Sequence, residues 1–331
     1  MGHETEILLS IIVPVFNTAN YLPGCIDSIL TSIDEFSDVE IICVNDGSTD
    51  DSADILYSYR DRDNFSILEK SNTGVSDSRN MGLSCAKGRY VWFVDSDDQI
   101  SDNAVREIRS VLLKKKPEVL CIGYQVIDDN GEVSSIYHTT AGLLGTAFVT
   151  ISSQRLLKAH DIKFTSGLKY GEDLLYTWNV LKYSDPNCVE YLDKPFYLYI
   201  RRQGSATMTN TANSFDYHLQ SLFVVLGVFQ SDRNNGQLSK KIKSMAESQW
   251  RQTAFNILSI SPGSSKNPQY ILRRLKEANA YPISGGTEFL DRNYSGWLRT
   301  IKKIQFFICN RPYLYRFYFI CRKASINRKR I

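Results

Sequence analysis

The sequence has little from which to build a metal or disulfide framework. Its four histidines, at 3, 138, 160 and 218, are scattered along 331 residues. The seven cysteines, at 25, 43, 85, 121, 188, 309 and 321, are odd in number and have no C-x-x-C spacing. Neither a zinc site nor a disulfide scaffold is supported, and a reduced, cytoplasmic setting is expected. No stretch reaches the roughly 18 uncharged apolar residues that span a bilayer. The opening MGHETEILLSIIVPVFN carries Glu4 and Glu6 where a signal peptide is basic, and no small-residue cleavage site follows. No G-x-G-x-x-G follows the first apolar run, which disfavours a dehydrogenase. Acidic residues are missing altogether from Arg292 to Ile331.

That last absence gives the net charge its meaning. The formal +3 averages two unlike parts. Residues 292–331 hold eleven Lys/Arg, which leaves 28 basic and 36 acidic residues, a net of −8, in 1–291. A 43% hydrophobic, 23% charged composition fits a soluble globular protein. The length suggests one large α/β domain with an appendage, or two domains.

The first hundred residues alternate short apolar runs with helical spacing. Strands are expected at Leu8–Phe16, Val39–Val44, Phe65–Leu68 and Tyr90–Val94. Helices are expected at Tyr21–Ile33, Ala53–Tyr59 and Val75–Ala86. Strands apolar on both faces and separated by helices predict a parallel sheet covered on both sides. Right-handed crossovers then place the strand-to-helix loops along one edge, where such sheets bind ligands. A helix over Asn103–Lys116 and a strand over Glu118–Ile127 follow, and residues 214–280 read as mainly helical.

The polar residues gather at that edge. The second strand runs into Asn45-Asp46-Gly47-Ser48-Thr49-Asp50, and the fourth into Asp95-Ser96-Asp97-Asp98. Asp95 and Asp97 are two apart on an extended run, so their carboxylates point to one side. Such a pair suits a hard cation such as Mg or Mn. An equally good reading makes Asp97 or Asp98 a helix N-cap. Asp46-Gly47 taken alone is a turn signal. Two acid-rich loops on one edge argue instead for one site.

These segments, with Ser10-Ile-Ile-Val-Pro-Val-Phe-Asn17 before them and Asn72–Asn80 plus Gly82 between them, resemble glycosyltransferase family 2 over about residues 8–205. The resemblance implies a GT-A fold, Rossmann-like and mostly parallel with helices on both faces. It also implies an inverting, usually metal-dependent transfer from a nucleotide-sugar, here read as a UDP-sugar. Pro14, Phe16 and Asn17 match the loop beside the nucleobase, and Asp46 the acid that accepts a hydrogen bond from uracil. Gly47, Asn72 and Ser96 are counted with the donor site. Arg79 matches an arginine near the nucleotide. Asp95 matches the acid at the ribose or metal, and Asp97 the acid that coordinates the metal. Asp77 departs from the usual Ala and puts a charge beside the donor pocket. Glu172-Asp173 matches the family's Glu-Asp pair, with Asp173 as catalytic base, although both acids also suit the first turn of a helix over Leu174–Leu181. Arg201 and Arg202 lie in a segment that approaches the diphosphate in relatives, or are a solvated pair after a strand. The absence of a Gln-x-x-Arg-Trp signature points to single-sugar addition.

Three parts are thus expected: a catalytic domain over 1–205 with donor and acceptor halves meeting near residue 100, a helical region over 206–291, and a basic, aromatic tail over 292–331. In the tail Trp297, Ile301, Ile304 and Ile308 form a helical stripe with Arg299, Lys302 and Lys303 off it. Interleaved rings and cations suit an anionic membrane surface. Nucleic acid, and packing of the tail on the acidic body, are weaker alternatives. The expectation is a bacterial-type enzyme, peripheral on the inner face of the membrane, that glycosylates a lipid-linked glycan for surface polysaccharide. The helical 214–280 region suits an oligomer interface as well as an acceptor site. The rivals are a nucleotidyltransferase, whose Gly-rich first loop is missing, and a non-catalytic nucleotide-sugar-binding scaffold.

Overall fold

A computed structural model describes residues 6–33, 36–128, 130–138, 145–201, 212–285, 287, 290 and 296–328. The chain divides into two compact units, Met1–Leu168 with Glu172–Ser205, and Lys169–Gly171 with Ala206–Ile331.

In the first unit the opening apolar run becomes β1 (Leu9–Val15), buried throughout. It is followed by α1 (Leu22–Ile33), β2 (Val39–Asn45), α2 (Ser52–Tyr57), β3 (Phe65–Glu69), α3 (Val75–Cys85) and β4 (Tyr90–Phe93). Then come β5 (Gln99–Ile100), α4 (Ala104–Lys115), β6 (Val119–Ile127), β7 (Val133–Tyr137), β8 (Thr150–Ser153), α5 (Gln154–Ala159), α6 (Glu172–Tyr183) and β9 (Val189–Ile200). The described strands form one nine-stranded sheet in the order β3-β2-β1-β4-β8-β6-β9-β5, with β7 paired to β6. The first four strands are mutually parallel. Beyond them the sheet is mixed. Strand β8 runs antiparallel to both β4 and β6, a pairing that needs no helical crossover.

Alternation along β1 covers both faces of the sheet. Ile11, Val13 and Val15 join the core built with α1 and α4, while Ile12 faces the other core with Ile42 and Val44. Gly82 lets α3 lie close to that second face, because a Cβ there would sit 2.4 Å from Ile12 Cγ2.

Pro14 shapes the edge where the strands end. The Ile12 carbonyl accepts the Val94 N–H, so even-numbered residues of β1 direct their backbone groups at β4. Pro14 has no N–H to continue that ladder, and the β1–β4 pairing stops at Ile12 and Phe93. On the β2 side the pairing runs on to Val15 and Asn45. The two strands therefore part at the residues that lead into the acidic loops.

The second unit contains α7 (Ala212–Asn234), α8 (Lys240–Ile260), α9 (Pro268–Glu277), α10 (Gly296–Cys309) and α11 (Pro312–Arg328). Ser239 and Asn267 cap α8 and α9 by accepting the N–H of Ile242 and Tyr270. Its core includes Phe229, Trp250, Phe255 and Leu275, together with Phe306, Cys309, Tyr315 and Phe319 from the last two helices. The basic tail is thus part of this unit's interior. Among the described residues no helix is long and apolar enough to cross a membrane.

Candidate active site

Three loops at the carboxyl ends of β1, β2 and β4 are tied together by side chains of their own. Asn17 turns the chain after β1 with φ 52°. Its Oδ1 accepts the Thr49 N–H at 2.8 Å, and its own N–H donates to Ser48 Oγ at 3.1 Å. Thr18 donates to Ser96 Oγ at 3.0 Å, joining the β1 loop to the β4 loop. Phe16 stays exposed beside them.

Asp46 is buried at the end of β2, and its carboxylate is well occupied. Oδ1 accepts the Thr73 N–H and Oδ2 the Gly74 N–H, each at 2.9 Å. Lys70 Nζ also donates to Oδ1. The loop that follows β3 is therefore folded around this acid. Gly47 allows it, because its φ is 67° and a Cβ there would meet the Asn72 nitrogen at 3.0 Å. Asn72 itself is exposed on that loop. Of the roughly four lone-pair positions on a carboxylate, these contacts take three of those on Asp46.

The centre of the site is Arg79 on α3. The residue is almost wholly buried, 4% exposed. Nη2 donates to Asp95 Oδ1 and Nη1 to Asp173 Oδ1, both at 2.7 Å, while Glu172 Oε1 lies 3.6 Å from Nη1. Its guanidinium carbon lies 4.9 Å from the centroid of the Phe164 ring. Asn80 holds that ring in place by donating to the Phe164 carbonyl and accepting its N–H, both at 2.9 Å. Burial opposes the Arg79 charge, but the three carboxylates outweigh it and raise the guanidinium above its ordinary value. Its Nε has no hydrogen-bond partner among the described residues.

Asp173 and Glu172 occupy the first turn of α6, as their helix-favouring charge suggests. Burial pushes the Asp173 carboxyl up to about 7 against the pull of Arg79, and the charges of Glu172 and Asp95 add to the rise. A carboxylate titrating near neutrality suits general-base work.

The Asp95–Asp98 turn is fixed from the far end of the sheet. Tyr197 on β9 accepts the Asp95 N–H at 3.2 Å and donates to Asp98 Oδ2 at 2.6 Å. Asp98 Oδ1 accepts the Ile200 N–H at 2.8 Å. Burial, reinforced by Asp97 and Asp95, pushes the Asp98 carboxyl well above the ordinary range. Neither Asp97 nor Asp98 caps a helix, since the next helix begins after Asn103. Asp97 is half-buried. For a cation, this turn offers carboxylate oxygen from Asp97 and from Asp95, the latter shared with Arg79. Among the described residues no three His, Cys, Asp or Glu converge on one point. That sparse, hard donor set fits an ion such as Mg or Mn, which keeps water and phosphate oxygens in its shell.

Arg201 is exposed at the end of β9, its N–H donating to the Ile127 carbonyl. No described contact joins it to the acids, and Arg202 lies outside the described residues. Asp77 accepts a 2.5 Å hydrogen bond from Ser166, which holds its carboxyl below the ordinary value. Tyr197, Lys70 and Phe164 are additions that the sequence reading did not contain. Lys70 follows directly on β3 and was open to suspicion. Tyr197 lies 99 residues from Asp98 and carried no local signal.

The model of glycosyl transferase family 2 matches residues 10–167. The poly(ribitol-phosphate) beta-N-acetylglucosaminyltransferase TarS of Staphylococcus aureus is 26% identical over 274 residues, 79% of this chain and 48% of that protein. The chain thus spans about half the length of that relative. The crystal structure of TarS 1–349 in complex with UDP-GlcNAc superposes with a TM-score of 0.63 at 21% identity, covering 96% of this chain and 92% of that one. The mannosyltransferase PcManGT from Pyrobaculum calidifontis, in complex with GDP-Man and Mn2+, gives 0.57 at 11% identity, covering 96% and 86%. These likenesses establish the GT-A fold, and the family match places a glycosyltransferase family 2 domain at residues 10–167 of this chain.

Proposed function

We propose that the chain moves a single sugar from a UDP-sugar to a hydroxyl of a surface-glycan acceptor, with inversion at the anomeric carbon. The observation that carries this is the Arg79 guanidinium, which binds Asp95 and Asp173 at once. It brings the end of β4 and the start of α6 into one cluster. Asp46 and the 70–74 loop form the base pocket, with one carboxylate lone pair left for an imide N–H. Asp95 and Asp97 would hold a divalent ion, which would neutralise charge developing on the leaving diphosphate. Asp173 takes the proton of the acceptor hydroxyl as its oxygen bonds to the anomeric carbon and the bond to the diphosphate breaks. The polymer named for TarS, together with the membrane-suited tail of this chain, supports a lipid-linked polyol-phosphate or glycan acceptor. Residues 292–331 would hold the enzyme against an anionic membrane from the inner side.

Ligand-detected NMR across a panel of nucleotide sugars, with and without Mn, tests the donor. UDP-sugars should bind, and Asp97→Asn should remove the Mn-dependent part. Asp173→Asn should bind donor and fail to turn over. A fully active Asp173→Asn enzyme would remove Asp173 from the reaction, and donor hydrolysis absent from wild type under all conditions would favour a binding scaffold.

A further inference from the structure

Asp77 has more partners than its place in the chain requires. An acid in the first turn of α3 complements the helix dipole, and that role needs no side-chain contact. Here the carboxylate is held from two directions. Ser166 Oγ donates to Oδ1 at 2.5 Å, and the Thr73 hydroxyl is a second donor to the same group. The Ser166 bond is the main cause that keeps this carboxyl below its ordinary value, and Thr73 and the charge of Lys70 add to it. Alanine, the residue usual at this position of the family pattern, could make neither bond.

These partners come from two separate segments. Thr73 and Lys70 belong to the loop after β3, where the Thr73 N–H and Lys70 Nζ also donate to Asp46 Oδ1. Each of them therefore serves Asp46 and Asp77 together. Ser166 follows Phe164, which Asn80 ties to α3 by two hydrogen bonds of 2.9 Å. Asn80 lies one turn beyond Asp77, so the two residues fasten the 164–166 segment along one face of α3. Phe164 is itself fixed in the core, its ring 4.3 Å from that of Tyr176 and 5.0 Å from that of Phe93. The 70–74 loop packs far less. Ser71, Asn72 and Thr73 are exposed, and at Gly74, with φ 101°, a Cβ would meet nothing within 4 Å. Through Asp77 the well-packed segment reaches the exposed one.

We propose that Asp77 is a latch on the base pocket. It is a positioning residue that ties the 70–74 loop to the 164–166 segment and so holds Thr73, Lys70 and Asp46 in place for a uridine nucleotide. The proposal rests on the donor reading above and adds a residue that acts on the nucleotide through Thr73 and Lys70. It also gives a use to a charge that stands where the family pattern has a methyl group.

Hydrogen–deuterium exchange and UDP binding, both on the full chain, test the latch. In Asp77→Ala the amides of residues 70–76 should exchange roughly tenfold faster, while those of β1 and β2 exchange as in wild type. Titration with UDP in the presence of Mn should give a Kd roughly fivefold to tenfold higher, the size of one net hydrogen bond. Asp77→Asn, which still accepts from both hydroxyls, should regain most of each loss. Ser166→Ala should loosen the loop as Asp77→Ala does, and the double variant should go no further than either single one. Circular dichroism melts check the fold, and if Asp77→Ala does not fold, Ser166→Ala carries the same test. Exchange over 70–76 that stays at the wild-type rate overturns the latch. Faster exchange beside an unchanged Kd for UDP overturns its role at the pocket. Ser166→Ala with both readouts at wild type overturns the tie between the segments. A wild type that binds no UDP strikes the donor reading instead, and the exchange rates then still decide whether Asp77 holds the loop.

Discussion

Arg79 is the residue on which most of the site depends, and removing it would strand three acids. Asp95 and Asp173 are each about a quarter exposed or less, so their mutual repulsion is poorly screened once the guanidinium is gone. Breaking a buried pair from one side costs about 3–5 kcal/mol. Arg79→Ala should lose activity and show a lowered chemical-denaturation midpoint, whereas Arg79→Lys, with one ammonium for two partners, should fall between. The same cluster sets a pH dependence. Asp173 titrates near 7 when folded, well above its ordinary 3.8. The native state therefore holds a proton that the unfolded chain gives up, and stability falls as pH rises from about 4 to about 7. On the proposed mechanism activity runs the other way, because Asp173 must be ionised to act as base. In the free enzyme kcat/KM should rise through about pH 7. Removing the Asp95 charge relieves one cause of the rise, so Asp95→Asn should move that midpoint down. A profile flat between pH 5 and 8 would exclude Asp173 as the titrating base.

The elements explain why such residues meet. Strand β9 reaches across the sheet to hold the β4 turn through the Tyr197 hydroxyl, which links the Asp95 N–H to the Asp98 carboxylate. Tyr197→Phe leaves the packing and strands both partners, a loss of about 1–3 kcal/mol for a buried polar group. We expect a lower melting temperature together with a raised KM for donor. An unchanged KM beside a lowered melting temperature would restrict Tyr197 to folding. Much of this layout is legible in the order of residues. Strands β1 to β4 and the helices between them follow from apolar spacing, and their ends fall within a residue or two of expectation. The acids lie at the strand ends because parallel βαβ units put their loops on one edge. Contacts set by topology were not legible. Nothing near Tyr197 indicates that β9 lies beside β6, with two strands between it and β4. Arg79 was readable as a nucleotide neighbour through resemblance, but its role as a bridge between Asp95 and Asp173 needed the coordinates. The stripe at 301, 304 and 308 was read correctly as helical. Its outward face was hidden, because periodicity gives a face and does not say what covers it.

Across the whole molecule the charge is divided unevenly along the sequence. The acidic part of the sequence contains the cluster at 46, 95, 97 and 173, and seven of the eleven basic residues of 292–331 sit on α10 and α11, helices that are also structural. Deleting this tail would be a poor test of membrane binding, because Phe306, Cys309, Tyr315 and Phe319 would leave the core of the second unit with it. Neutralising exposed cations is cleaner. Arg311 and Arg316 both face solvent, and each Lys/Arg at an anionic surface contributes about 1 kcal/mol. Arg311→Gln/Arg316→Gln should therefore bind phosphatidylglycerol vesicles roughly thirtyfold more weakly, from about 2 kcal/mol at 1.4 kcal/mol per decade. Its melting temperature should match wild type, since no buried side chain changes. Raising salt from 0.05 to 0.5 M should weaken wild type more than the variant, because fewer charges remain to be screened. Equal vesicle affinity for the two proteins at low salt would show that Arg311 and Arg316 do not read the surface.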